Sequence, residues 1–261
     1  NPSPPRIKPV QLSGASSMAL GPFVSVLMSQ KYGMFWVFVV CVVLSSLGTI
    51  LTLFVQMDER IPTPEEQRLK WDFHVTSFID QRSIPIASMM ALCGVAISLV
   101  LSFLESYSHT IGASAGASWF FVVMAACTFT SRMFVGRIQD RFGDDVVIYP
   151  IFVCMAIAYI LLATAQGSGM VIAAAVPLGF GFGSLMPCAQ AIVVNQSPAA
   201  RYGIAVATFF IFLDTGTGLG PVLIGGLANM WGPRSMYWAA VVLVACAAVV
   251  YVMTTRRRTQ R

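Results

Sequence analysis

Asp214 is the acidic residue that lies deepest within an apolar stretch of the sequence. It sits near the middle of residues 203–229, a stretch long enough to cross a bilayer. A carboxylate at that depth costs about 2.5–3.5 kcal/mol to insert, so we expect it to face a water-filled cavity or a partner group. There it could exchange a proton for a cation, because both compete for one carboxylate. A protonated Asp214 that is hydrogen-bonded to a neighbouring helix is the alternative.

Four other polar residues lie inside or at the ends of apolar stretches. Arg132 could extend to the membrane interface or pair inward with a carboxylate. Glu105 ends its stretch, where it could serve as a gate, admit protons or remain an ordinary exposed carboxylate. Gln190 and Asn195 could bond a polar ligand or simply bond across helices.

The chain offers little material for metal or nucleophilic catalysis. It contains two histidines, His74 and His109, and its six cysteines all fall in apolar stretches without metal-ligand spacing. It contains no P-loop sequence. We therefore expect no enzyme activity, no metal and no cofactor. Because no basic run lies beside stacking aromatics, we also expect no nucleic-acid partner.

The elements that position these residues are predicted to be membrane-spanning helices. Of the 261 residues, 57% are hydrophobic and only 10% are charged, against about 25% in soluble proteins. Eight stretches between polar breaks are long and apolar enough to cross a bilayer. They comprise residues 12–28, 34–56, 83–106, 117–138, 146–166, 169–194, 203–229 and 235–254. The sequence thus predicts an all-α membrane protein with about eight transmembrane helices in contact with lipid.

The basic residues predict the orientation of these helices. Of the 16 lysines and arginines, 14 fall on one side of the predicted membrane, and only Lys31 and Arg234 fall on the other. Cytoplasmic loops carry the positive excess, so both termini are predicted to be cytoplasmic.

One long polar segment divides the chain. Residues 57–82 hold ten of the 27 charged residues and are predicted to form a cytoplasmic linker. The linker separates residues 1–56, with two predicted spans, from residues 83–255, with six. Residues 256–261 are predicted to form a basic cytoplasmic tail.

The two ends of the chain contain an internal repeat. A Leu-Gly-Pro sequence occurs in the first and in the seventh span, and each copy is followed, after the same distance, by a glycine that an aromatic residue precedes. The residues are Gly21, Pro22 and Gly33 in the first copy and Gly220, Pro221 and Gly232 in the second. If spans one and two correspond to spans seven and eight, the repeating unit has six spans and its first copy lacks four.

Residues 131–145, SRMFVGRIQDRFGDD, resemble the cytoplasmic signature of the major facilitator superfamily. The residues that match it are Gly136, Arg137, Asp140, Arg141 and Gly143. The sequence ALGPFVSVL, around Gly21 and Pro22, resembles the Gly-Pro motif of the fifth helix in antiporters of that superfamily, although Ser25 stands where glycine is usual. FFIFLDTGTGLGP and VPLGFGFGSLMPCAQA resemble the eleventh and tenth helices of bacterial efflux members.

This resemblance implies the carboxyl-terminal two-thirds of a 6+6 helix fold. Residues 1–56 would be a remnant of the amino-terminal bundle, namely its last two helices, and residues 83–255 the carboxyl-terminal bundle. The implied function is proton-coupled export of a small organic molecule (a drug, sugar or metabolite) by alternating access. The implied protein is a monomer in the plasma membrane, specifically the inner membrane of a bacterium. An uptake symporter and a truncated fragment that does not transport are the alternatives.

Overall fold

Long helices make up the part of the chain that the structure describes. This computed structural model describes residues 28, 33–54, 79–198 and 201–259, which contain seven helices and no strand. The helices are α1 (Met34–Phe54), α2 (Ile84–Thr110), α3 (Ser114–Phe142), α4 (Asp144–Ala163), α5 (Ser168–Gln196), α6 (Tyr202–Trp231) and α7 (Arg234–Thr259).

The predicted all-α membrane fold is confirmed. Each of the seven helices coincides with a predicted span, and each is long and apolar enough to cross a membrane. The helices extend a few residues beyond the predicted spans at several ends, as in α2, which continues from residue 106 to Thr110. The remaining predicted span, residues 12–28, lies outside the described residues apart from Met28.

Helix α1 belongs to a compact unit formed by residues 1–77. Its side chains are mostly apolar, and most of them are exposed, including Leu53 and Phe54 near its end. A helix that is apolar on every side suits contact with lipid or with other helices rather than with water.

Residues 78–261 form a second compact unit, a bundle of helices α2 to α7. Helix α2 is central to it, packing most extensively against α6 and α7 and also touching α3 and α5. Helix α5 in turn packs against α3 and α4. The core is therefore built from helix-to-helix contacts that centre on α2 and α5.

Successive helices of this bundle run in alternating directions. We call the end that holds the connection between α3 and α4 the Gly143 end, and the end that holds the connection between α2 and α3 the Gly112 end. Tyr107 of α2 donates a hydrogen bond to the Leu162 carbonyl of α4 at the Gly112 end (2.7 Å). Tyr251 of α7 donates one to Asp145 Oδ1 at the Gly143 end (2.7 Å).

Glycines permit a close approach of α6 to α2. A Cβ placed on Gly216 would overlap the Ala91 carbonyl oxygen, and one placed on Gly220 would lie 3.0 Å from the Val95 Cα. Gly94 of α2 also permits this close approach, since a Cβ on Gly94 would lie 2.8 Å from a backbone oxygen of α6. The small-residue spacing of Gly216 and Gly220 is typical of a helix contact in a membrane protein, and these two glycines form one.

Glycines play the same part between α3 and α5. A Cβ on Gly179 would lie 2.6 Å from the Met124 carbonyl oxygen, and one on Gly183 would overlap the side chain of Thr128. The two glycines are four residues apart, so they lie on the same face of α5. That face is held against α3 at close range.

The two copies of the internal repeat share a backbone conformation. Gly33 has φ +86° and lies directly before α1, and Gly232 has φ +84° and lies two residues before the start of α7 at Arg234. Glycine is the residue that adopts this left-handed region most readily. The matched spacing in the sequence therefore corresponds to a matched turn. Gly21 and Pro22, the other residues of the first copy, lie outside the described residues.

Candidate functional site

The carboxylate of Asp214 lies close to the centre of the six-helix unit. Asp214 is two to three residues from the middle of α6, which places it ~4 Å from the centre, toward the Gly143 end. Its side chain is exposed, whereas Leu213 and Gly216 beside it are buried against α2. Among the described residues, none forms a hydrogen bond with the carboxyl group of Asp214.

The exposed stripe of α6 that contains Asp214 is mostly apolar. Ile211 precedes Asp214 on this stripe and Gly218 and Val222 follow it, all at helical spacing, and Ile211 is 52% and Val222 78% exposed. Such a stripe would suit lipid, but a carboxylate near the centre of the bilayer costs about 2.5–3.5 kcal/mol there. The stripe is therefore better suited to a water-filled cavity or to another protein segment.

Arg132 reaches inward from α3 and contacts α5. It is half-buried, and its Nε–H donates a hydrogen bond to the Gly183 carbonyl oxygen at 3.1 Å. Arg132 lies four residues from the middle of α3, or ~6 Å from the centre of the unit. The sequence left open an interfacial position or a pairing with a carboxylate. The hydrogen bond to Gly183 goes to a backbone carbonyl, and the two alternatives stay predictions.

The other predicted polar residues do not gather around Asp214. Glu105 is exposed on α2, eight residues beyond the helix middle and ~12 Å toward the Gly112 end. Gln190 is half-buried and Asn195 is exposed, and both lie on the last two turns of α5, toward the Gly143 end. Arg132 and Asp214 lie at similar depths, but α3 and α6 have no extensive contact with each other.

The predicted bend at Gly220 and Pro221 lies inside a continuous helix. Helix α6 runs through both residues, and Gly220 is buried against α2. Pro221 lines a cavity of about 410 Å³ between α2, α6 and α7 near the Gly112 end. Because proline has no N–H, it cannot donate to the carbonyl of Thr217, so α6 is locally weaker at this point.

The signature residues form the turn between α3 and α4. Gly143 ends α3 with φ +92°, and its N–H donates to the Gln139 carbonyl oxygen at 3.0 Å. The charged signature residues Arg137, Asp140 and Arg141 are exposed, as is Gly136. The backbone conformation at Gly143 explains the glycine of the signature, whereas its charged residues are presented at the surface of this unit.

Gln139, which the sequence analysis did not single out, makes the buried contacts of this turn. Its Nε2 donates to Asp144 Oδ1 at 2.8 Å and to the Cys188 carbonyl oxygen of α5 at 3.2 Å. Asp144 and Asp145 also lie in the first turn of α4, where the helix dipole favours negative charge. The turn is thus attached to α5 through Gln139 and to α7 through the bond from Tyr251 to Asp145.

A second feature missed by sequence reasoning is a buried carboxylate at the Gly143 end. Asp80 is only 2% exposed, although the sequence placed it in the charged linker. Its Oδ2 accepts hydrogen bonds from Ser83 Oγ (2.7 Å) and Ser197 Oγ (3.2 Å), and its N–H donates to Thr208 Oγ1 (3.0 Å). Asp80 therefore joins the starts of α2 and α6 to the end of α5. A proline in the first turn of α2 was the available signal for a helix start here.

No group of three or more histidine, cysteine, aspartate or glutamate side chains in the described part of the chain could hold a metal ion. The chemistry available near the centre of the unit is thus that of one exposed carboxylate and one half-buried guanidinium. The carboxylate can bind a cation or a proton, whereas the guanidinium, which stays protonated, can only donate hydrogen bonds or bind an anion.

Comparison with known proteins places this arrangement in a family. The sequence model described as "Major Facilitator Superfamily" matches residues 10–167 and 86–261. The chain is 31% identical over 170 residues to a multidrug resistance protein, MdtG, of Yersinia enterocolitica, covering 62% of this chain and 40% of that protein. It is 25% identical over 202 residues to an uncharacterized MFS-type transporter of Pseudomonas aeruginosa, covering 77% and 49%.

A further relative, MdtG of Dickeya zeae, is 31% identical over 171 residues, which cover 63% of this chain and 42% of that protein. The chain thus spans less than half the length of these relatives. The family match extends over nearly all of it, including the helices that carry Asp214 and Arg132. This multi-pass, all-helical membrane protein belongs to the major facilitator superfamily.

Proposed function

We propose that this protein is a secondary active transporter that exports a small organic molecule in exchange for protons. The family supports transport, and the relatives named multidrug resistance proteins support efflux. The observation that carries the proposal is the exposed Asp214 carboxylate near the centre of α6. A drug, sugar or other metabolite remains the proposed range of substrates.

The position of Asp214 suits proton coupling. Its carboxylate is exposed to a ligand or to water, and no described residue occupies it through a hydrogen bond. A proton and a ligand that prefers an ionised carboxylate would then compete for the carboxylate of Asp214. Exchange of a proton for a ligand requires such competition. The apolar residues that flank Asp214 suit an organic ligand with an apolar body.

The second candidate is a fragment that does not transport by itself. The aligned regions cover 40–49% of the relatives' lengths, which favours this candidate. In a twelve-helix protein, residues 1–56 would supply the last two helices of the first bundle and residues 57–82 the linker. Residues 83–255 would supply the second bundle. Uptake by symport is the remaining alternative.

We also propose an orientation for the bundle. The charge distribution puts the Gly143 end, both termini and the tail, residues 256–261, in the cytoplasm. Since the relatives are bacterial, the inner membrane is the proposed location, with a monomer as the functional unit.

The test is flux in proteoliposomes under a proton gradient of either sign. Two proteins are compared: the 261-residue chain, and a chimera that places the amino-terminal helices of the Yersinia relative ahead of it. Ethidium is the transported probe, and a protonophore is the control that removes the gradient. An exporter moves ethidium against the direction of the proton gradient, whereas a symporter moves it along that direction.

The two proteins separate the candidates. Gradient-driven ethidium flux in the chimera alone would identify the 261-residue chain as a transport-inactive fragment. Ethidium flux that ignores the gradient in both proteins would contradict the proposed coupling.

A further inference from the structure

A proline of α5 and an arginine of α3 meet at one carbonyl group. Pro187 lies within α5 and has no N–H, so it cannot donate to the carbonyl of Gly183, four residues earlier. The Nε–H of Arg132 donates to that same carbonyl at 3.1 Å. The position of the proline and the bond to the arginine are independent observations, and both concern the Gly183 oxygen.

The surrounding contacts hold the arginine in this place. One turn earlier on α3, Thr128 Oγ1 donates to the Gly179 carbonyl at 3.2 Å, and both bonds join residues that are 51 positions apart. Helices α3 and α5 therefore run side by side in one register. The Thr128 side chain also fills the space that a Cβ on Gly183 would need. Arg132 therefore lies on the face of α3 that packs closely against α5.

We propose that Arg132 is a positioning residue for α5, in that its guanidinium replaces the helical donor that Pro187 removes. The Gly183 carbonyl is one residue from the middle of α5, so the bond fixes the proline site of α5 against α3 near the centre of the bundle. Interrupted helices near a central site are where transporters change shape. The role of this bond in transport rests on the proposed function, whereas the replacement of the missing donor does not.

Removal of the arginine in two backgrounds tests the replacement. Arg132→Met keeps a long side chain but cannot donate, which leaves a buried carbonyl oxygen without that bond. In the parent chain in detergent, we expect the midpoint of thermal unfolding to fall by ~2–12 °C. In a Pro187→Ala background the new N–H bonds to the Gly183 carbonyl. The same Arg132→Met change should then lower the midpoint by less than half as much.

Two matched controls show whether the coupling is specific. Pro177→Ala also removes a proline from α5, but the carbonyl it affects is that of Ala173, so the effect of Arg132→Met should stay as large as in the parent. Thr128→Val removes the bond to the Gly179 carbonyl, which keeps its own helical donor. Its effect should be equal in the parent and in the Pro187→Ala background.

The kinetics of transport distinguish a positioning role of Arg132 from a role in stability alone. In the chimera, we expect Arg132→Met to reduce the ethidium turnover rate about tenfold while the apparent KM changes less than about threefold. Pro187→Ala added to Arg132→Met should restore most of the turnover. If the chimera transports nothing, the unfolding measurements still decide the role of Arg132, so the two proposals fail separately.

Equal losses of stability from Arg132→Met in the parent and in the Pro187→Ala background would overturn the inference. If Arg132→Met is not recovered as a folded protein, recovery of the Arg132→Met, Pro187→Ala double variant supports the inference. Failure to recover the double variant contradicts it.

Discussion

Replacement of Gly216 by alanine tests how α6 packs on α2. The added Cβ would overlap the Ala91 carbonyl oxygen and would lie 2.9 Å from its carbonyl carbon and 3.0 Å from its Cα. Carbon atoms in contact prefer about 3.5–4.0 Å, so the two helices would have to separate by roughly 0.5–1 Å. All three atoms belong to the backbone and cannot rotate out of the way.

The expected effect follows from two opposing terms. Overpacking of this kind costs about 1–3 kcal/mol, whereas alanine is better than glycine inside a helix by ~1 kcal/mol. Gly218 lies two residues further along α6, where a Cβ would meet nothing within 4 Å, so Gly218→Ala should show the helix gain alone. The two variants should therefore differ by about 1–3 kcal/mol, which corresponds to ~2–12 °C in the unfolding midpoint.

The assay is thermal unfolding of the detergent-solubilised chain, followed by circular dichroism at 222 nm. Gly216→Ala should unfold at a lower temperature than Gly218→Ala under identical conditions. Equal midpoints for the two variants would refute the packing of α6 on α2 at this position.

Three further predictions concern the Gly143 end and the orientation. Gly143→Ala should lower the free energy of unfolding by about 1–2 kcal/mol, because φ is +92° at this position. Gly136→Ala, where the added Cβ meets nothing within 4 Å, should cause no such loss, and similar unfolding midpoints for the two variants would contradict the prediction. In the chimera, Asp140→Asn should alter exchange rates more than expression, and unchanged ethidium kinetics would reduce the signature to a topology signal. A cysteine introduced within residues 106–116 should react with a reagent added on the external side of the membrane. One introduced in the linker near Trp71, a residue that the structure does not describe, should react only from the cytoplasmic side. The reverse pattern would overturn the proposed orientation.

Much of the fold followed from the sequence because lipid imposes a simple rule. A spanning helix must be long and apolar, and polar breaks between apolar stretches are easily located. This rule predicted every described helix, from α1 to α7. The glycine contacts at Gly216 and Gly183 also have a signal in the sequence, since each of these glycines has a second glycine four residues away on the same helix face.

The polar contacts were harder to predict because their partners are backbone groups on other helices. The hydrogen bond from Arg132 to the Gly183 carbonyl could not be predicted, because the sequence does not show which backbone group of α5 an arginine of α3 meets. The burial of Asp80 depends on how three helix ends converge. Likewise, Gln139 is an unremarkable residue in the sequence, and only its position next to α5 gives it a structural part.

The measurement that tests the central claim most directly is gradient-driven ethidium transport by Asp214→Asn in the chimera. Asparagine keeps the shape of the side chain but cannot ionise, so the variant should lose accumulation of ethidium against its gradient. It should retain passive counterflow, because the change between access states does not itself require the proton. Asp214→Glu, which remains ionisable, is the matched control and should keep some coupling. Full proton-coupled export by Asp214→Asn would contradict the assignment of coupling to this carboxylate.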